Sequence, residues 1–185
     1  MERHIETSTF ILGPDVKQFE DKFSDLVGCK YAIGVNSGTD ALILGLQALG
    51  IKSGDEVITV PNSYIATAQA IAIVGATPVF VDVEDDTMNM NLKLVQAAIT
   101  PKTKAIIPVH LYGFPVDIPQ LRTIVGEDIF ILEDCAQSHG ALVGDRMTGS
   151  MGDVGCFSLH PAKILSSMGD AGIITTNNES VYEHC

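Results

Sequence analysis

Lys163 follows the apolar run Phe157-Ser158-Leu159-His160-Pro161-Ala162, five residues after a serine, and the small-residue stretch Gly169-Asp170-Ala171-Gly172 comes shortly behind it. A lysine in such a setting can form a Schiff base with a carbonyl, and Ser158 can hold a phosphate. The plainer reading is a solvated loop lysine. A second group, Glu133-Asp134-Cys135-Ala136-Gln137-Ser138-His139, closes the hydrophobic run Ile129-Phe130-Ile131-Leu132. A carboxylate at the end of such a run is costly unless it meets a positive group. For Asp134 a protonated ring nitrogen, a magnesium ion or a neighbouring histidine could each serve. The magnesium reading lacks further acids apart from Glu133, whose side chain strand alternation sends the opposite way.

Ser37-Gly38-Thr39 joins a strand-like run to a helical one. Its glycine permits close approach, and the N–H groups of a helix start favour a phosphate; an ordinary helix cap is the competing reading. Tyr64 could stack on a flat ring. Gln137 could bond a ring hydroxyl. His139 and His160 could orient Asp134 or meet a substrate, or serve structure alone. The acidic run Asp82, Glu84, Asp85 and Asp86 reads as a solvated turn. No GxxxxGK[ST] and no strand-borne GxGxxG occurs, which argues against nucleotide-triphosphate and dinucleotide binding.

The elements that must position these groups alternate. Strand-like runs at 31–36, 56–61, 78–83, 105–110, 129–134, 154–159 and 172–176 are separated by helical patterns. The first helix is expected to be capped by Asp15, with Val16, Phe19, Phe23 and Leu26 on its inner face. Others are expected at 39–49, at 63–74 (Ala-rich and buried), at 91–99, and at 118–125 behind an Asp117 cap. Buried strands joined by helices imply a three-layer α/β domain with a mostly parallel seven-stranded sheet. Ligands of such sheets bind beyond the strands' carboxyl ends, where the candidate residues gather.

Composition agrees. Hydrophobic residues make up 46% of the 185-residue chain and aromatics 6%, which suits one packed domain. A formal net charge of −12 argues against nucleic acid and anionic membrane surfaces. The four cysteines lack CxxC spacing, no apolar run reaches spanning length, and the N-terminus lacks a signal-peptide pattern. A cytoplasmic protein with reduced thiols is the expectation.

Taken together, these segments resemble the DegT/StrS family of pyridoxal-phosphate-dependent sugar aminotransferases. The similarity rests on Phe10-Ile11-Leu12-Gly13-Pro14-Asp15-Val16, Ser37-Gly38-Thr39-Asp40-Ala41-Leu42, and Gly54-Asp55-Glu56-Val57-Ile58 with Pro61 and Tyr64-Ile65-Ala66-Thr67. It rests most specifically on Pro108-Val109-His110-Leu111-Tyr112-Gly113, Glu133 to Gly140, and Phe157 to Lys163. The resemblance implies the large domain of a fold-type-I pyridoxal-phosphate transferase and pyridoxal 5′-phosphate as cofactor. Lys163 and Asp134 would be catalytic: Lys163 forms the internal aldimine and moves the proton, and Asp134 keeps the pyridine nitrogen protonated. Gln137 would contact the ring hydroxyl and Tyr64 the ring face, with Gly38, Thr39 and Ser158 on the phosphate. His160 and His139 are substrate-binding candidates, and no metal is implied.

The implied reaction moves an amino group, typically from glutamate, to a keto carbon of a nucleotide-linked deoxysugar, in a homodimer. In the family's dehydratases a histidine replaces the lysine, so Lys163 points to an aminotransferase; a dehydratase, or an inert module for dimerisation or regulation, is the alternative. Ala171 stands where the family usually has glycine, and Ile164-Leu165-Ser166-Ser167 is an atypical continuation. Residues 1–185 are expected to be an incomplete large domain without the family's small C-terminal domain, and so a fragment with weak or no turnover.

Overall fold

The strands alternate residue by residue between two apolar layers. Val57, Ala105, Ile107, Leu132 and Cys156 pack into one cluster, whereas Ile58, Ile106 and Ile131 pack into the other. Successive side chains of a strand point to opposite faces, so strands apolar at every position need cover on both sides. Fully burying a side chain such as Ile58 or Ile106 contributes roughly 1.5–3 kcal/mol. A computed structural model of the chain describes residues 6–8 and 11–185. Phe10 of the opening motif and the N-terminal Met-Glu-Arg-His lie outside the described residues.

The chain runs α1 (Pro14–Val27), β1 (Tyr31–Val35), α2 (Gly38–Ala48), β2 (Glu56–Thr59), α3 (Ile65–Ile73), β3 (Thr77–Phe80), α4 (Leu92–Ala98) and β4 (Thr103–Ile106). It continues through a 3₁₀ turn at Leu111–Gly113, α5 (Ile118–Val125), β5 (Phe130–Asp134), β6 (Leu142–Val143), β7 (Arg146–Met147), β8 (Val154–Ser158), β9 (Gly172–Thr176) and α6 (Glu179–His184). Seven strands form one sheet, the number the sequence predicts, in the order β1-β9-β8-β5-β4-β2-β3. β9 alone runs against its neighbours β1 and β8. The other six therefore end on one rim. Gly172 is the cross-strand partner of both Val35 and Ser158, which brings the ends of β1 and β8 level. The β6–β7 hairpin turns at Gly144, with φ 62°, and has no counterpart in the sequence reading.

α2, α3 and α6 contribute Leu46, Ile71 and Val181 to one layer; α4 and α5 contribute Val95, Ile118 and Leu121 to the other. α1 joins the second side through Phe23 and Val27 against Phe157 and Ile173. Its inner face differs from expectation. Val27, four residues after Phe23, is buried and Leu26 is 61% exposed, because the Phe19–Phe23–Val27 row faces the sheet. Nor does Asp15 cap α1. Pro14 already occupies the first turn, Gly13 is the cap, and Asp15 lies inside the turn.

The cap expectation holds at Asp117, whose carboxylate accepts from the Gln120 N–H, and Ser37 similarly accepts from Asp40. α3 is shorter than expected and buried on one side only. Ala66, Thr67, Ala70 and Ile71 face inward while Ile65 and Ile73 are exposed. In the acidic run Asp82, Asp85 and Asp86 are exposed, as read from sequence.

Candidate active site

The strands' carboxyl ends enclose a cavity of about 610 Å³. Its wall contains Gly38, Thr39, Tyr64, Asp134, Gln137, Ser158, His160 and Lys163, brought together from positions far apart in sequence. Of the candidate residues only His139 is absent from this wall. It packs on Phe157 with ring centroids 5.3 Å apart, and neither ring nitrogen has a hydrogen-bond partner among the described residues. Burial lowers the pKa of its imidazole.

One end of the cavity is built by contacts that only glycine allows. A Cβ on Gly38 would lie 2.6 Å from Ser158 Cβ, and one on Gly172 would lie 2.3 Å from the Ser37 carbonyl oxygen. β8 and β9 thus press against the start of α2. The N–H groups of Gly38 and Thr39 belong to the first helical turn, which has no intrahelical acceptors. Beside them stands the Ser158 hydroxyl. This end presents donors and a positive helix terminus to an anion.

Asp134 ends β5, 5% exposed. The Thr67 hydroxyl donates to its Oδ2 at 2.8 Å and the Ala136 N–H to its Oδ1 at 3.1 Å. Burial raises its pKa, and these two bonds and the Lys163 charge offset that only in part. A cation against this carboxylate would relieve the cost. Gln137 Oε1 accepts from the Tyr112 N–H at 2.8 Å, which fixes the amide with its NH₂ as the remaining donor. Tyr112 reaches that position with φ 55°, in the left-handed region. Tyr64, 72% exposed, caps α3 at the open side.

Lys163 lies half-buried on the loop between β8 and β9. The loop's neck is closed by Leu159 N–H to Ala171 O and Ser167 N–H to Leu159 O, both 2.8 Å, and the Lys163 N–H turns back onto His160 O. His160 Nδ1 accepts from Ala162 N–H at 3.1 Å, so its ring proton sits on Nε2, 4.0 Å from Asp170 Oδ1.

Glu133 points away from the cavity, as strand alternation predicts. His110, Glu133 and Cys135 bring potential metal-ligand atoms within 4.8 Å of one another. Yet each Glu133 oxygen already accepts two hydrogen bonds, from His110 and Gly149 and from Met151 and Gly152. The cluster is filled by its own donors. Cys29, Cys135, Cys156 and Cys185 carry free thiols. No described helix is long and apolar enough to cross a membrane.

The wall also contains Ser63 and Thr67, and sequence reasoning gave Thr67 no role of its own. The signal for Thr67 was its spacing: three residues after Tyr64, it shares that residue's face on α3.

The family model for the DegT/DnrJ/EryC1/StrS aminotransferase family matches residues 1–185. The chain is 47% identical over 173 residues to a UDP-N-acetyl-3-dehydro-alpha-D-glucosamine 3-aminotransferase of Acidithiobacillus ferrooxidans, covering 93% of this chain and 47% of that protein. It is 44% identical over 174 residues to a dTDP-3-amino-3,4,6-trideoxy-alpha-D-glucose transaminase of Micromonospora megalomicea, covering 94% and 46%. The crystal structure of NtdA from Bacillus subtilis with bound cofactor PMP superposes with a TM-score of 0.93 at 36% identity, covering 100% of this chain and 42% of that one. The chain spans about half the length of the curated relatives it matches. With its motifs assembled on one rim of one sheet, the chain belongs to the DegT/DnrJ/EryC1/StrS aminotransferase family.

Proposed function

We propose that residues 1–185 form the large domain of a pyridoxal-phosphate-dependent aminotransferase that moves an amino group, from glutamate, to the keto carbon of a nucleotide-linked deoxysugar. The observation that carries this reading is Asp134, a buried carboxylate that needs a cation, in one cavity with Lys163. The residues fit the cofactor. Asp134 suits a protonated pyridine nitrogen, the Gln137 NH₂ suits a ring hydroxyl, and the exposed Tyr64 suits a ring face. Gly38, Thr39 and Ser158 suit a phosphate. When bound, the cofactor supplies an aldehyde for the amine and an electron sink for the carbon that loses its proton.

The chain's own residues then have distinct duties. Asp134 holds the proton on the ring nitrogen. Lys163 Nζ would hold the cofactor's aldehyde carbon and, when free of it, would be a group in the wall able to accept and return a proton. Gln137 and Tyr64 orient the ring, and His160 faces the sugar at the mouth of the cavity. The relatives' names favour a ketone at C3. A second copy of this chain is the partner we assign. Tyr64, Ile65, Tyr112, Phe114, Ile164 and Met168 are exposed on the segments around the cavity, and exposed apolar groups of this kind mark association surfaces. The net charge of −12 makes nucleic acid and anionic membranes poor partners, and we place the protein in the cytoplasm.

The test is a visible spectrum of the purified chain with pyridoxal phosphate, followed by borohydride reduction and peptide mass mapping. We expect a yellow species whose reduced adduct maps to Lys163 and is absent in Lys163→Ala. Amination of a UDP- or dTDP-linked 3-keto sugar by glutamate then tests the substrate class. A folded protein with no visible band would sink the cofactor reading.

A further inference from the structure

Thr67 is 1% exposed and lies in the cavity wall, 67 residues from the carboxylate it touches. Its Oγ1 is 2.8 Å from Asp134 Oδ2 and 2.8 Å from Ser63 Oγ. A hydroxyl has one proton to give. An ionised carboxylate has none, so Thr67 donates to Asp134, and Ser63 must then donate to Thr67. The chain of donors has one direction, from Ser63 through Thr67 to Asp134. Ala136 N–H serves the other carboxylate oxygen. Bonds to a charged acceptor are stronger than neutral ones, and successive hydroxyls polarise one another.

The relay also shares a rigid support with the ring-facing residue. The Thr67 N–H bonds back to Tyr64 O at 3.1 Å, so one turn at the start of α3 carries both Tyr64 and Thr67. A ring held between them would have its face set by the first and its nitrogen edge set, through Asp134, by the second.

We propose that the Ser63–Thr67 hydroxyl relay holds Asp134 ionised and oriented in its buried position, making Thr67 a positioning residue that governs how firmly this carboxylate takes a cationic ring nitrogen. The inference rests on the cofactor reading above, and one of its measurements does not need the cofactor. A carbon-13 titration of the Asp134 carboxyl, on the cofactor-free chain, compares wild type with Thr67→Val, Thr67→Ser and Ser63→Ala. Valine keeps the shape of threonine without its donor. We expect the carboxyl to titrate higher in Thr67→Val, by a smaller amount higher in Ser63→Ala, and as in wild type in Thr67→Ser.

In parallel, spectroscopic titration with pyridoxal phosphate is expected to show about tenfold weaker binding for Thr67→Val and recovery in Thr67→Ser. Thermal melts of all variants identify any loss of fold, and Ser63→Ala keeps the comparison decisive if valine unfolds the chain, since a wild-type Asp134 titration in that variant also overturns the relay. An unchanged Asp134 titration in Thr67→Val, or a shift in Thr67→Ser equal to that in valine, overturns the relay. Absence of binding by wild type overturns the cofactor reading instead, and the carboxyl titration still decides whether the relay exists.

Discussion

His110 Nε2 and Glu133 Oε2 meet at 2.9 Å, both side chains wholly buried, one residue along β5 from Asp134 on the opposite face. His110 Nδ1 accepts from the Val116 N–H, so the ring carries its proton on Nε2 and donates it to Glu133. Three backbone N–H groups, of Gly149, Met151 and Gly152, complete the carboxylate's shell. Burial raises the Glu133 pKa, but the His110 bond and these backbone donors outweigh it, and the net shift is downward. Neighbours on one strand thus carry opposite perturbations. Glu133 is a satisfied anion that ties down the approach to β8, and Asp134 is an anion short of partners.

Glu133→Gln is expected to destabilise the fold by about 3 kcal/mol, since either amide orientation turns an NH₂ onto two N–H donors. The pH dependence has a definite sign. A depressed carboxyl contributes stability above its unfolded pKa and loses it as pH falls through the folded value. Wild type should therefore lose stability on the acid side below the ordinary glutamate range, and the variant should lack that contribution. Thermal melts between pH 2 and 7 check it.

Asp134→Asn is expected to raise the melting temperature of the cofactor-free chain while abolishing tight cofactor binding. The folded pKa of Asp134 is raised, so the folded state binds the extra proton, and this group's contribution is fully present below the unfolded pKa and lost as pH rises through the folded one. Asparagine removes that loss. Its oxygen can still accept from Ala136 and its NH₂ can donate to Thr67. The stability gap between variant and wild type should be largest near neutral pH and close toward pH 4. A gap that is absent or reversed at neutral pH would contradict this account.

Gly38→Ala puts a methyl 2.6 Å from Ser158 Cβ, with the Ser158 backbone at 3.1 Å. The start of α2 or the end of β8 must move, at a cost of about 1–3 kcal/mol. Because both sides of the contact line the end proposed to hold the phosphate, pyridoxal-phosphate affinity should fall by more than stability alone explains. Pyridoxal without its phosphate should be less affected. Paired binding titrations separate the two effects.

Cys29 is half-buried, and its pKa is raised to about 11 by burial and by the Glu133 charge. Against an ordinary thiol this leaves roughly a hundredfold less thiolate near pH 8. Alkylation of Cys29 by iodoacetamide near pH 8 should therefore be slow in the folded chain and fast in urea. Peptide mapping over time gives the rates.

Much of this was legible in the sequence because the signals are local. Short β-branched runs between helical patterns gave the seven sheet strands, Asp117 and Ser37 marked helix starts within three residues of their partners, and the rim residues Lys163, Asp134 and Ser158 stood at or just past strand ends, where ligands of such sheets bind. What the tertiary structure decided were pairings between segments far apart. Nothing near Thr67 says that its hydroxyl will meet Asp134, and nothing near Gly172 says that it must clear the Ser37 carbonyl. The reversal of β9, the burial of Val27 in place of Leu26 and the turning of His139 onto Phe157 depend likewise on which neighbour occupies the adjoining space. Periodicity and caps act over one or two turns of chain and can be read there. Strand order, register and the fate of a polar side chain depend on surfaces that exist only once the sheet and its two helical layers have packed.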